Sequence, residues 1–232
     1  MRSKQKGNKS TKVIGFDFDG TIIDIEEQKS KAFGVILNQH WGVNIEEAVQ
    51  YWINTGGKSR RSKFDYFFNQ RYGKNLTDEE YKKIESEFSN RLKNEFYPKV
   101  KFIKGALKLL EFCRKNFDIT FVSSGVPHDE IKYLVKLKEV DGYFDRIYGT
   151  SEKFESKEDH FREIINEFDP ELLIFVGDGF EDMRVGRKYG AITIGIPSHQ
   201  TKERLLEAGA QYVLPTDKIN YELKGILKKK AG

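Results

Sequence analysis

The sequence predicts an α/β fold: a parallel sheet flanked by helices, with a block of helices inserted after the first strand. Three observations lead there. First, the run Val13, Ile14 and Phe16 ends abruptly in Asp17, Asp19 and a Gly-Thr turn, and four later segments repeat the pattern of an apolar run closing in small or polar residues. These are Ile119–Ser124, Leu172–Asp178, Ala191–Ile196 and Gln211–Leu214. Such runs are the signature of strands buried on both faces. Second, helical spacing separates them, over Gly105–Lys115, His128–Lys138, Lys157–Phe168, Glu181–Tyr189 and Lys202–Ala208. Strands alternating with helices of this length imply right-handed crossovers in one sheet. Third, the interval 24–98 lacks strand patterns and shows helical spacing in Ala32–His40, Glu46–Ile53, Arg61–Arg71 and Thr77–Phe96.

Local punctuation supports these elements. Thr77 followed by Glu80 is a capping-box pattern for the last inserted helix. Asp169-Pro170 ends one helix before its strand, and Gly190 and Gly209 suit helix C-termini. The expected organisation is a core of residues 1–23 and 99–232, with 1–11 as a flexible tail, and a helical cap over 24–98.

Composition narrows the function. At 232 residues, with 18 Phe and 11 Tyr, the chain can bury one medium core. Nothing approaches the roughly 18 consecutive apolar residues of a membrane span, so no membrane partner is expected. The tail Met1–Lys12 holds five basic residues without an apolar stretch, unlike a secretory signal. The net charge of +4 gathers at this tail and at Lys228, Lys229 and Lys230, which read as frayed, solvated ends. A basic stripe with interleaved aromatics is missing, so no nucleic-acid partner is expected. A lone Cys113, in an apolar helix pattern, suits a reducing, cytoplasmic setting and a core position. A monomer or homodimer is expected.

The chemistry sits at strand ends. In extended chain Asp17 and Asp19 point the same way, and two like charges so placed require a cation or a proton between them. Ser123 and Ser124 close a second strand, and Asp178 with Asp182 follows a third. If these strands are neighbours, all three sets meet at one carboxyl edge and offer hard oxygens of the kind Mg²⁺ prefers. Lys153 and Lys157 precede the Leu172 strand and supply candidate countercharge.

In these residues the chain resembles the haloacid dehalogenase superfamily, in its phosphoglycolate phosphatase and β-phosphoglucomutase branch. DFDGT (Asp17–Thr21), Ser123 at a strand end, Lys157 opening a helix, and GDGFED with Asp178 and Asp182 match its four motifs in order. The resemblance implies a Rossmann-like core with a helical cap, and a Mg²⁺-dependent phosphatase acting on a small phosphorylated metabolite. It implies Asp17 as nucleophile and Asp19 as acid and base. Mg²⁺ would be bound by Asp17, the backbone oxygen of Asp19, and Asp178. Ser123, the Ser124 amide and Lys157 would hold the phosphoryl group, with Gly20, Thr21 and Asp182 in support. Cap residues of the branch often touch substrate, which marks Arg60 and Arg61 as candidates. A phosphomutase uses the same residues and is the alternative. A catalytically silent binding protein would be expected to have lost Asp17, Asp19, Lys157 or Asp178, and all are present.

Other motifs carry less. TGGKS at Thr55–Ser59 lacks the leading Gly and strand of a nucleotide loop, because Trp52 stands where that Gly belongs. His40, His128, His160 and His199 have no metal-ligand spacing and read as surface or packing residues. Asp24 reads as a helix-start or hinge residue.

Overall fold

A computed structural model describes residues 11–56 and 58–231. Six parallel strands form one sheet in the order β3-β2-β1-β4-β5-β6. They are β1 (Lys12–Phe16), β2 (Ile119–Pro127), β3 (Arg146–Thr150), β4 (Leu172–Gly177), β5 (Ile192–Gly195) and β6 (Tyr212–Val213). Helices α5 (Ala106–Asn116), α6 (His128–Leu137), α7 (Lys157–Phe168), α8 (Phe180–Lys188), α9 (Lys202–Glu207) and α10 (Thr216–Ala231) surround it. Between β1 and β2 lie α1 (Glu26–Trp41), α2 (Ile45–Asn54), α3 (Arg60–Tyr72) and α4 (Asp78–Arg91). The expected tail lies outside the described residues up to position 10.

Strand alternation builds two layers. Val13, Phe121 and Phe175 pack with Phe161 and Ile164 of α7 on one face. Ile14, Phe16, Ile174 and Val176 turn to the other, in one cluster with Leu109 of α5 and Ile219 and Leu223 of α10. That second cluster continues into the insert, where Phe33, Trp52, Phe64 and Phe88 stand within 6.4 Å of one another along the Phe33 contacts. The two connections between sheet and insert run side by side: Asp24 N donates to Lys101 O at 2.9 Å, and Ile23 bridges Phe102. Asp24 therefore lies in the linker just ahead of α1.

Three sequence expectations need correction. The strand β3 was not anticipated: RIYGT is short, begins in Arg and is only partly buried at the sheet edge. The C-terminal lysines are not a frayed end, because α10 continues to Ala231 and buries Ile219, Leu223 and Ile226 at helical spacing. The helix expected over Thr77–Phe96 changes character at Leu92, where five residues form a π-helical turn. Its capping box stands, with Glu80 N donating to Thr77 Oγ1 at 3.2 Å and Thr77 N to Glu80 Oε2 at 2.7 Å.

The strand order decides where a ligand can sit. From β1 the chain departs to one side toward β2 and later returns on the other side as β4. Connections that leave adjacent strands in opposite directions open a crevice at their carboxyl ends. Asp17 follows β1 and Asp178 follows β4, so both edges of that crevice end in carboxylates.

Candidate active site

Asp17 is fixed by its backbone, its amide donating to Val176 O of β4 at 2.9 Å. Its side chain meets Lys157, whose ammonium donates to Asp17 Oδ1 at 2.9 Å and to Asp182 Oδ1 at 2.5 Å. Lys157 is the first residue of α7, a position where the helix dipole disfavours a cation. The two carboxylates offset that cost. Burial alone would lower its pKa, but Asp17 and Asp182 outweigh burial and hold the ammonium above its usual range. Lys153 instead pairs with Glu163 at 3.0 Å on the surface, so of the two lysines it is Lys157 that reaches Asp17.

Asp182 is spoken for on both oxygens, since Gly179 N donates to Oδ2 at 2.9 Å at the start of α8. It orients Lys157 and caps its own helix. Asp178 is held by Thr21 Oγ1 at 3.5 Å and by Ser198 Oγ at 3.2 Å, the latter hydroxyl also lying 3.2 Å from Gly20 O. Gly20 sits at φ +74°, and a Cβ there would lie 2.2 Å from Asp178 Oδ2. Only glycine allows the loop and the carboxylate to share this space.

Oxygens of Asp17, Asp178 and Asp182 lie within 4.8 Å of one another, all buried. Burial pushes the Asp17 carboxyl up to about 7 against the pull of Lys157, with Asp182 and Asp19 adding to the rise. Burial and the neighbouring Asp17 raise Asp178 well above the carboxylate range. The cluster thus holds more negative charge than Lys157 offsets. Oxygen donors with excess negative charge suit a hard divalent cation. Asp17 has one oxygen on Lys157, and Asp178 is met, among the described residues, only by two hydroxyls, whereas Asp182 is held by an ammonium and by its own helix start.

Asp19 faces away from this cluster and into a separate pair. Its Oδ2 accepts from Lys29 of α1, while Oδ1 is buried without a partner among the described residues. Burial raises its pKa, which Lys29 offsets only in part. Glu26, one turn before Lys29, accepts from Trp52 Nε1 at 2.8 Å.

The two serines divide their work. Ser124 lines the cleft together with Gly125 and Val126, and its Oγ accepts from Val126 N at 3.3 Å. Ser123 is fully buried, and its hydroxyl lies 2.9 Å from His160 Nδ1. His160 Nε2 faces Gly149 O at 3.3 Å, so a neutral ring donates there and accepts from Ser123. Burial and the nearby Lys157 pull His160 down to about 3, which keeps it neutral. Its place among packing residues holds, stacked 5.3 Å from Tyr148, but it also fixes the Ser123 hydroxyl. The proton of Ser123 is thereby committed to the ring.

The insert covers the cleft, a space of about 50 Å³. Arg60 lines it, yet its guanidinium is committed to Glu130 of α6, to Glu85 and Ser89 of α4 at 2.9 Å each, and to Tyr97 at 3.3 Å. Arg61 points outward to Asp65 and Asp78, at 2.8 Å each, and the structure does not bring it to the cleft. Gln200, after β5, donates to Ile53 O at 2.7 Å and ties core to insert a second time. Ser59 caps α3 by accepting from Ser62 N, and Gly57 of the Thr55–Ser59 turn lies outside the described residues. Lys29, Glu26, Lys63, Ser198 and Glu130 were not singled out from sequence. Lysines and glutamates on amphipathic helices look alike there whether solvated or buried.

The model of the haloacid dehalogenase-like hydrolases matches residues 14–196. The chain belongs to that family. A haloacid dehalogenase-like hydrolase with this site is a phosphatase, a phosphoric monoester hydrolase. Its curated relatives include the phosphoglycolate phosphatase of Mannheimia succiniciproducens, 24% identical over 201 residues, covering 82% of this chain and 87% of the relative. Among solved structures, a Clostridium acetobutylicum chain described as "a predicted phosphatase" superposes with a TM-score of 0.78 at 21% identity, covering 94% and 100% of the two chains. A Bacteroides vulgatus chain described as "Putative beta-phosphoglucomutase" gives a TM-score of 0.72 at 18% identity, with 95% and 90% covered. At these identities the structural likenesses speak for the fold. No helix among the described residues is long and apolar enough to cross a membrane.

Proposed function

We propose that this haloacid dehalogenase-like hydrolase cleaves a small phosphomonoester metabolite through an aspartyl-phosphate intermediate, in the manner of a phosphoglycolate phosphatase. The observation that carries the reading is the division of two neighbouring aspartates between two lysines. Asp17 has one oxygen on Lys157, which leaves the other free to attack phosphorus. Asp19 has its own partner in Lys29 and a raised pKa, which suits a residue that must first give a proton to the leaving oxygen and then take one from water.

A divalent cation such as Mg²⁺, held by the Asp17 and Asp178 carboxylates and the Asp19 carbonyl, would screen the repulsion between nucleophile and phosphoryl dianion. Lys157 screens the same charge, and Asp182 keeps its ammonium in place. Ser124 and the turn through Gly125 offer the cleft's contacts for phosphoryl oxygens, with Ser123 and His160 bracing the strand end behind them. Phosphoryl transfer relies mainly on such positioning and charge stabilisation. The small, insert-covered cleft favours a metabolite over a phosphoprotein, and the lone buried Cys113 suits a cytoplasmic enzyme.

The test is phosphate release across a metabolite panel, with and without Mg²⁺, beside Asp17→Asn. Release abolished by EDTA and by the substitution is expected. Release that persists in either arm refutes the mechanism. A requirement for a bisphosphate activator with isomerised product would assign the chain to the phosphomutases instead.

A further inference from the structure

The pairing of β2 with β3 is interrupted where the cleft begins. Ser123 pairs with Tyr148 and Pro127 with Thr150, so Ser124, Gly125 and Val126 of β2 stand opposite Gly149 alone. Extra residues in one strand push its backbone out of the ladder. Here the three displaced residues line the cleft. The β3 side has no slack, because a Cβ on Gly149 would lie 2.6 Å from Val126 O and 2.7 Å from His128 Cα.

His160 meets both edges of this bulge. Its Nδ1 accepts at 2.9 Å from Ser123, the last paired residue before the bulge. Its Nε2 donates at 3.3 Å to the carbonyl of Gly149, the residue opposite. A neutral imidazole has one donor and one acceptor, and both are used on the two strands. The ring is wholly buried, stacked 5.3 Å from Tyr148 and met edge-on by Phe154 at 5.5 Å, so packing fixes its plane. His160 also stands three residues after Lys157 on α7, which puts both side chains on one face of that helix. The helical turn that brings an ammonium to Asp17 thus also carries the brace of the bulge.

We propose that His160 is a positioning residue for phosphoryl transfer, holding the bulge in the shape that presents Ser124 and Gly125 to the phosphoryl oxygens. The inference rests on the phosphatase reading above and adds a residue that acts through the backbone without touching substrate. Residues pushed out of a ladder have no strand neighbour to hold them, so an unbraced bulge is free to drift. A misplacement of about 1 Å can cost about 10²-fold in rate.

Three variants grade the brace. His160→Gln keeps an acceptor for Ser123 and a donor for Gly149. His160→Phe keeps a ring against Tyr148 but neither bond. Ser123→Ala combined with His160→Phe removes the hydroxyl as well, which spares the fold one buried, unpartnered group. The first measurement, amide hydrogen exchange, needs no turnover. Val126 N donates to Ser124 Oγ within the bulge. It should exchange about 10-fold faster in both Phe variants while Phe121, in the ladder, keeps its native rate, and Gln should restore it. The second measurement is hydrolysis of p-nitrophenyl phosphate. Its kcat should fall about 10- to 100-fold in both Phe variants, with KM changed far less, and recover in His160→Gln.

Native exchange at Val126 in the Phe variants overturns the brace, and the double variant decides this alone if His160→Phe does not fold. Faster exchange that spreads equally to Phe121 overturns it too, since that reports a weakened sheet. A kcat kept in the Phe variants despite faster exchange at Val126 overturns the positioning role. No phosphate release by the native protein from any phosphomonoester, with the exchange pattern as expected, overturns the phosphatase reading and leaves the brace standing.

Discussion

Arg60 of α3 and Glu130 of α6 form a two-pronged ion pair across the boundary between insert and sheet, with Nη1 donating to Oε2 at 2.9 Å and Nη2 to Oε1. Both side chains are almost wholly buried, and Arg60 outweighs burial to hold the Glu130 carboxyl down to about 2. Breaking such a pair from one side costs about 3–5 kcal/mol, while replacing both members can be close to neutral. Arg60→Met is expected to lose about 3 kcal/mol of stability. The double replacement with Glu130→Leu should lose less than the sum of the singles, measured by urea unfolding.

Lys157→Met removes the countercharge from Asp17 and Asp182 together. The expected loss in kcat is about 10²–10³-fold, the scale of removing one preorganised charge-stabilising donor. KM should move far less. A loss confined to KM would place Lys157 in substrate binding alone.

Metal dependence can be read without turnover. In the metal-free protein Asp17 titrates near 7, above its value in the unfolded chain. A raised carboxyl contributes stability that is complete below about pH 4 and lost as pH rises through 7. Mg²⁺ should therefore raise the melting temperature most above pH 7. At about 100 times its dissociation constant, a ligand adds about 2.7 kcal/mol. Asp178→Asn should abolish that rise, and a rise that survives the substitution would move the metal elsewhere.

His160 has the opposite sign. Its folded pKa of about 3 lies below the unfolded value near 6.5, so its contribution is complete above pH 6.5 and lost as pH falls toward 3. His160→Gln, which keeps a partner for Ser123, should flatten the fall in melting temperature between pH 6.5 and 4. An unchanged slope would mean that the native ring is already protonated in this range.

The strand ends were legible because a buried apolar run that stops at a carboxylate is a local event. Asp17 and Asp178 needed no knowledge of distant neighbours, whereas Lys157 was separated from Lys153 by the resemblance to the family's motifs. β3 escaped because an edge strand is exposed enough to carry Arg146, and α10 because its lysines mask the buried Ile219, Leu223 and Ile226. Glu130 lies 70 residues from Arg60, and Lys63 differs from its solvated neighbours only by the packing of Trp52 above it. Which face of a mixed helix turns inward is decided by tertiary packing. That also explains why Lys29 reads as one charge in a polar run, although it is buried against Asp19.

One apolar cluster runs without interruption from Ile14 and Val176 in the sheet to Phe64 and Phe88 in the insert. Residues that share a single core melt together, because neither part keeps its packing once the other is gone. The molecule should therefore absorb heat in one calorimetric peak. An excised fragment of the four inserted helices would expose the apolar side chains that continue into the sheet, so the two parts of this chain share one folding equilibrium.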